Sequence, residues 1–176
     1  MKYKAYIILL LLSFILSSKI MDNSDLRIKE LFPDFIAIEH NIFDLQFSYE
    51  KTKKAVNQKF FRDELNVWTI TTTDTISHYA IIDNSLGKSM PITFLVIFTD
   101  NGQIKYAQIV KYREPYGGEI SSLSWTSQFM GMSNESEFNV GETIDGISGA
   151  TISTHSVTKG IHKLSLLFPY IKDQLK

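Results

Sequence analysis

The sequence predicts an α+β domain, an antiparallel β-sheet with helices packed on it. Two observations carry that prediction. β-branched and aromatic residues gather into four short runs between residues 67 and 112, and segments with helical spacing lie before and after them. Strands that follow one another without intervening helices pair antiparallel, whereas a doubly wound parallel sheet needs a helix at each crossover. Size agrees: 176 residues make one domain, or one with a small appendage, and 44% hydrophobic residues suffice for a core. A wholly disordered or collagen-like chain is excluded.

The elements follow in order. Lys2 and Lys4 precede a mostly apolar, uncharged run from Ala5 to Ser18, about the length of a signal-peptide hydrophobic region. It is short for a membrane-spanning helix, which usually takes about 20 apolar residues. Export with cleavage near Ser17 or Ser18 is the reading, and Leu16, large where a small residue is usual, keeps an uncleaved anchor as the alternative. Ser24 to Phe32 has a capping residue and helical spacing, and Pro33 stops it. Ser48 to Phe60 reads as a second helix with Tyr49, Thr52, Val56 and Phe60 on one face and lysines on the others. Val67–Thr73, His78–Ile82, Pro91–Thr99 and Gln103–Tyr112 are the four strands, the last two joined through Asp100-Asn101-Gly102, a tight-turn signal. Arg113 to Glu119 is a loop. Ser122 to Gly131 is a short helix with Trp125 and Phe129 on one side, and Asn134 to Ile144 is polar and irregular. His155 to Phe168 is the last helix, its buried stripe formed by Val157, Ile161, Leu164 and Phe168, with Pro169 ending or kinking it.

Composition narrows the chemistry. The chain has no cysteine, so disulfides, thiolate metal sites, iron–sulfur clusters, cysteine nucleophiles and a lipidated-cysteine anchor all drop out. Eighteen basic against 19 acidic residues leave no excess to hold a nucleic-acid backbone, so no nucleic-acid partner is expected. Without Lys2 and Lys4 the mature domain has 16 basic against 19 acidic residues, a net charge of −3. Of the four histidines only His155 and His162 share an element, seven residues apart, which is too far for an i, i+4 metal pair. No metal site is expected.

The stretch Asp145-Gly146-Ile147-Ser148-Gly149-Ala150-Thr151 stands out as a run of small residues ahead of the last helix. Gly146, Gly149 and Ala150 let backbone approach a ligand closely, and Thr151, Ser153 and Thr154 place hydroxyls and amides near a helix N-terminus, where an anion is favoured. An ordinary glycine-rich turn with a hydroxyl cap is the competing reading. There is neither a P-loop lysine nor a G-x-G-x-x-G fingerprint, so an ordinary nucleotide site is not indicated.

Asp145 to Thr151 also matches the D-x-x-[ST]-G-A-T flavinylation pattern. With it come Leu86-Gly87-Lys88 followed by Pro91 to Leu95, then Tyr112 to Ile120, then Gln128-Phe129-x-Gly131. In these four ordered blocks the chain resembles stand-alone members of the FMN-binding domain family, the domain shared with the flavin-carrying subunits of the Rnf and sodium-pumping NADH:quinone reductase complexes. The resemblance implies that Thr151 carries FMN through a phosphoester, installed from FAD by a magnesium-dependent flavin transferase that releases AMP. It implies that Ser148, Gly149 and Ala150 give the phosphate room and that Asp145 is read by the transferase. Tyr116, Gly117, Gly118 and Glu119 would form a loop over the isoalloxazine ring or its ribityl chain, although Glu119 also fits an exposed loop acid. Thr93 and Gln128 are candidate hydrogen-bond partners, each with an ordinary strand or helix role as the alternative. Trp125 and Phe129 flank the ring or belong to the core. Lys88-Ser89 departs from the histidine-containing pair common at that turn, so no polar contact is carried over from it.

The division that follows is 1–18 leader or anchor, 19–65 N-terminal helical region packed on the domain, and 66–176 FMN-binding domain. The expected function is that of an extracytoplasmic flavoprotein, periplasmic or at the cell surface. It would relay electrons between a membrane redox donor or acceptor and a partner, with the flavin supplying the redox chemistry. A reductase acting directly on a small acceptor and a non-flavinylated binding or structural module are the alternatives.

Overall fold

The computed structural model describes residues 20–45, 55–58 and 60–175, and the chain divides into two units, one up to Asp34 and one from Phe35 onward. In the first, residues 20–31 form helix α1. The chain is already helical four residues before the predicted cap: Ser24 Oγ donates to Ile20 O at 2.7 Å, so this serine lies inside the helix. The apolar run 1–18 and most of the helix predicted over 48–60 lie outside the described residues, and residues 55–56 of the latter are helical.

The second unit is α+β, as expected, but its sheet has five strands: β1 (Phe35–Asp44), β2 (Glu64–Thr72), β3 (Ser77–Leu86), β4 (Pro91–Thr99) and β5 (Ile104–Lys111). They lie in sequence order, each antiparallel to the next. β1 corrects the reading of 19–65 as a helical region, because 35–44 pairs with β2 in register from Ala37↔Thr71 to Asp44↔Glu64. β3 runs four residues past its predicted end, since Asp83, Asn84 and Ser85 find partners or burial within the sheet and beneath the last helix. At the β4–β5 turn only Gly102 takes a positive φ, +86°, and its amide donates to Thr99 O at 3.0 Å.

Two helices follow. α2 (Leu123–Thr126) passes into a 3-10 turn at Ser127–Phe129, so the predicted ten-residue helix is split into two short pieces. α3 (Thr151–Gln174) is longer than predicted at both ends and contains Pro169. Ile171, fully buried, and Lys172, 2.7 Å from Asp100 Oδ1, secure the turn beyond the proline.

α3 lies on one face of the sheet. Val157, Ile161, Leu164 and Phe168 share a core with Val67, Ile81, Phe94, Val96 and Phe98, and Phe168 stacks on Phe98 at 4.7 Å between ring centroids. Trp68, Ile70, Ala80, Leu95 and Ile97 are buried on the opposite face. β4 is therefore covered on both sides, which is why it reads as an unbroken apolar run. Gly160 lets α3 approach the sheet: a Cβ there would lie 2.6 Å from Phe94 Cζ. Beside that contact Lys163 Nζ meets Asp83 Oδ2 at 2.7 Å with both side chains buried, and the ammonium also sits 4.0 Å from the centroid of the Phe60 ring. Burial pushes the Asp83 carboxyl above its usual range, and Lys163 opposes that shift.

Candidate functional site

The motif residues end at the first turn of α3. Gly149 adopts φ +77°, a conformation that favours glycine, and turns the chain so that Ala150 becomes the residue preceding the helix. The first intrahelical bond runs from Thr154 N to Ala150 O at 2.9 Å, and no side chain caps the helix. The amides of Thr151, Ile152 and Ser153 therefore have no protein acceptor among the described residues, and the exposed Thr151 hydroxyl stands beside them. Three open amides at the positive end of a 24-residue helix favour an anion.

Neighbouring segments hold this end in place. Gly117, at φ +79°, packs so closely on Ala150 that a Cβ would overlap the alanine methyl group. The Tyr112 hydroxyl donates to Tyr116 O at 2.6 Å and lies 3.2 Å from Ser153 Oγ, joining the 112–117 loop to the helix. Glu114 clamps the β3–β4 turn: its carboxylate accepts from Ser89 N at 2.7 Å, Met90 N at 2.9 Å and Ser89 Oγ at 3.1 Å. Those bonds, chiefly the backbone ones, hold its carboxyl below the usual range. Gly87 leaves room for the clamp, since a Cβ there would lie 2.5 Å from Glu114 Oε1. The result is a hollow of about 400 Å³ in which Lys88, Ser89, Glu114, Pro115 and Tyr116 face Gly149 to Ser153.

Tyr116, Gly149, Ala150 and Thr151 are thus brought together, with Gly117 behind Ala150 and Ser148 exposed just ahead of Gly149. The other expected contacts fall elsewhere. Thr93 alternates with Ile92 and Phe94 and so points to the sheet face away from α3, where its hydroxyl donates to Asn84 Oδ1 at 2.7 Å and accepts from Arg113 at 3.0 Å. It does not reach Thr151. Gly118 and Glu119 begin an exposed 3-10 turn, and neither lines the hollow. Gln128 acts on the motif indirectly: Oε1 accepts from Asp145 N at 2.7 Å and Nε2 donates to Trp125 O at 2.9 Å. Trp125 Nε1 donates to Asp145 O at 2.8 Å, so the backbone of Asp145 is held on both sides while its carboxylate is exposed. Trp125 and Phe129 are core residues, packed edge to face at 5.3 Å.

Sequence reasoning missed the Glu114 clamp, the Tyr112 link and the contact of Gly117 with Ala150. Gly87 and Gly117 are the available signals, as glycines at chain reversals beside bulky polar neighbours. Among the described residues no cluster of histidine and carboxylate side chains could hold a metal ion.

No curated protein matches the sequence. Among solved structures the chain is similar to one subunit of the Na(+)-translocating NADH-quinone reductase from Parabacteroides distasonis ATCC 8503. The TM-score is 0.49 with 17% identity, covering 76% of this chain and 80% of that one. Residues 87–165 match the FMN-binding domain family, a stretch that runs from the β3–β4 turn into α3 and contains the whole of the hollow beside Thr151. By that match this part of the chain carries an FMN-binding domain.

Proposed function

We propose that the protein is an extracytoplasmic electron-transfer flavoprotein that carries FMN on Thr151 through a phosphoester. The observation that carries this reading is the exposed hydroxyl of Thr151 beside three open amides at the start of α3, inside the stretch that matches the FMN-binding family. The residues fit such a group: the amides favour the phosphate charge, Lys88 borders the same hollow, and Gly149 and Ala150 leave the approach to Thr151 clear of bulky side chains. A flavin transferase using FAD and magnesium would join Thr151 Oγ1 to the phosphorus of the FMN half. The pyrophosphate bond breaks, AMP leaves, and the hydroxyl proton is released. Asp145, backbone-fixed and side-chain exposed, is suited to recognition by that enzyme.

When bound, FMN supplies the redox chemistry, while the protein supplies orientation, shielding and tuning of the potential. The uncharged run 5–18 behind two lysines supports export, and a tethered cofactor is not diluted outside the membrane. The chain would then relay electrons between a membrane redox protein and a partner. Intact-mass measurement after co-expression with a flavin transferase tests the attachment: wild type gains FMN less water, and Thr151→Ala gains nothing. An adduct that persists in Thr151→Ala would disprove the site.

A further inference from the structure

The motif is held at both ends by residues outside it. At the Thr151 end the hold is packing, Gly117 against Ala150. In the middle Ala150 N donates to Ile147 O at 3.0 Å, and the Ile147 side chain packs on the core. At the Asp145 end the hold is made by hydrogen bonds to two side chains. Trp125 Nε1 donates to Asp145 O at 2.8 Å, and Gln128 Oε1 accepts from Asp145 N at 2.7 Å.

These two bonds are matched in kind. An indole nitrogen can only donate and an amide oxygen can only accept, so the pair offers Asp145 the two partners that a neighbouring strand would offer. Asp145 needs them, because it lies outside any helix or strand, just after the isolated bridge Val140↔Ile144. Gln128 Nε2 donates to Trp125 O at 2.9 Å, which turns Oε1 towards Asp145. Trp125 is itself fixed, 6% exposed, with its ring edge to face on Phe129 and its amide donating to Ser122 Oγ at 3.3 Å. Together they hold both peptide planes that meet at the Asp145 Cα, and so set the direction of its side chain. That side chain goes to water: the carboxylate is exposed and has no partner among the described residues.

We propose that Trp125 and Gln128 are positioning residues for flavin attachment, fixing the direction in which the Asp145 carboxylate is offered to the transferase. The proposal rests on the phosphoester reading of Thr151 and adds to it two residues outside the motif. Their effect is on recognition: an acid already held in its bound direction loses less freedom when the enzyme docks.

The test uses the full chain with FAD, magnesium and a purified flavin transferase, the adduct being followed by intact mass. Trp125→Phe and Gln128→Met each remove one bond to Asp145 and keep most of the side-chain volume. Each is expected to raise the KM for the chain roughly fivefold, the equivalent of one hydrogen bond, and to leave kcat within about twofold of wild type. Gln128→Met should also speed hydrogen exchange at the Asp145 amide. Asp145→Asn removes the carboxylate, and in that background neither substitution should change KM further, because both act through it. That coupling separates positioning from stability, since a loss of packing alone lowers Tm and persists without the carboxylate. Wild-type KM in both variants, or an equal effect with and without the carboxylate, overturns the proposal and leaves Thr151 as the attachment site. If one variant does not fold, the other carries the same test. A wild-type chain that gains no FMN, or an adduct that survives Thr151→Ala, overturns the attachment reading and the proposal together.

Discussion

Replacing Lys163 with methionine removes one half of a buried ion pair and leaves the other. The ammonium lies 2.7 Å from Asp83 Oδ2, and the two side chains are 0% and 4% exposed. A carboxylate stranded in that position costs about 3–5 kcal/mol, roughly 6–20 °C in Tm for a chain of this size. Loss of the ammonium over the Phe60 ring falls within the same sum. The pH dependence follows from the direction of the Asp83 shift. Burial raises its folded pKa and Lys163 lowers it. Without the lysine only the backbone amide of Asn84 still opposes burial, so the folded pKa rises further above the unfolded value. A raised pKa contributes stability below the unfolded value and loses it as pH rises through the folded one. The Lys163→Met deficit should therefore be small near about pH 4, the usual carboxylate value, and grow as pH rises above it. Thermal melts of wild type, Lys163→Met, Asp83→Leu and the double variant across that range give both the magnitude and the coupling. The double variant should recover most of the loss, because two apolar side chains leave no charge to solvate. A single variant that melts within about 2 °C of wild type at neutral pH, or a double variant as unstable as the single, would refute this account of the pair.

Gly160→Ala gains about 1 kcal/mol of helix propensity, but its methyl group meets the buried Phe94 ring, and overpacking costs about 1–3 kcal/mol. A lower Tm is expected, and a higher one would show that the ring gives way. Gly117→Ala combines a left-handed backbone with overlap on Ala150 and should lose about 1–3 kcal/mol together with flavinylation yield. Gly118→Ala, with open space at its Cβ, should match wild type in both assays. Glu114→Gln should raise hydrogen exchange at the amides of Ser89 and Met90. In wild type that protection is present above the usual carboxylate pKa and is lost as pH falls through the lowered folded value, so early loss on acidification would count against the clamp.

The parts of the fold that were legible in the sequence are those where local pattern and tertiary role agree. β4 and the Val157, Ile161, Leu164, Phe168 stripe of α3 announce themselves by apolar periodicity. β1 does not, because Ile36 and Ile42 are exposed and Glu39-His40-Asn41 interrupts the run; pairing with β2 makes it a strand. The same applies to Asp83-Asn84-Ser85, polar residues left outside the predicted strand, which contacts with Lys163 and Thr93 hold inside the sheet. At the site the small-residue motif was visible, since only a few residue types tolerate such crowding. The walls around it were not: Glu114 and Tyr112 act through contacts with distant parts of the chain, for which no local pattern exists. Thr93 misled for a related reason, as strand alternation assigns it a face that residue type alone does not reveal.

The family match begins at Gly87 and stops at Ser165, and the sheet does not respect either limit. A segment cut at those points would turn β4, buried from Ile92 to Phe98, into a bare edge with half of its backbone hydrogen bonds unmade. It would also leave Lys163 in the interior without Asp83, and Ser156 without the Leu86 carbonyl. The recurring unit of sequence and the cooperative unit of folding are thus different objects in this chain. The motif-bearing half borrows three strands from its N-terminal side, and β3, far ahead of the motif in sequence, is bonded to the first turns of α3 through Leu86 and Ser156.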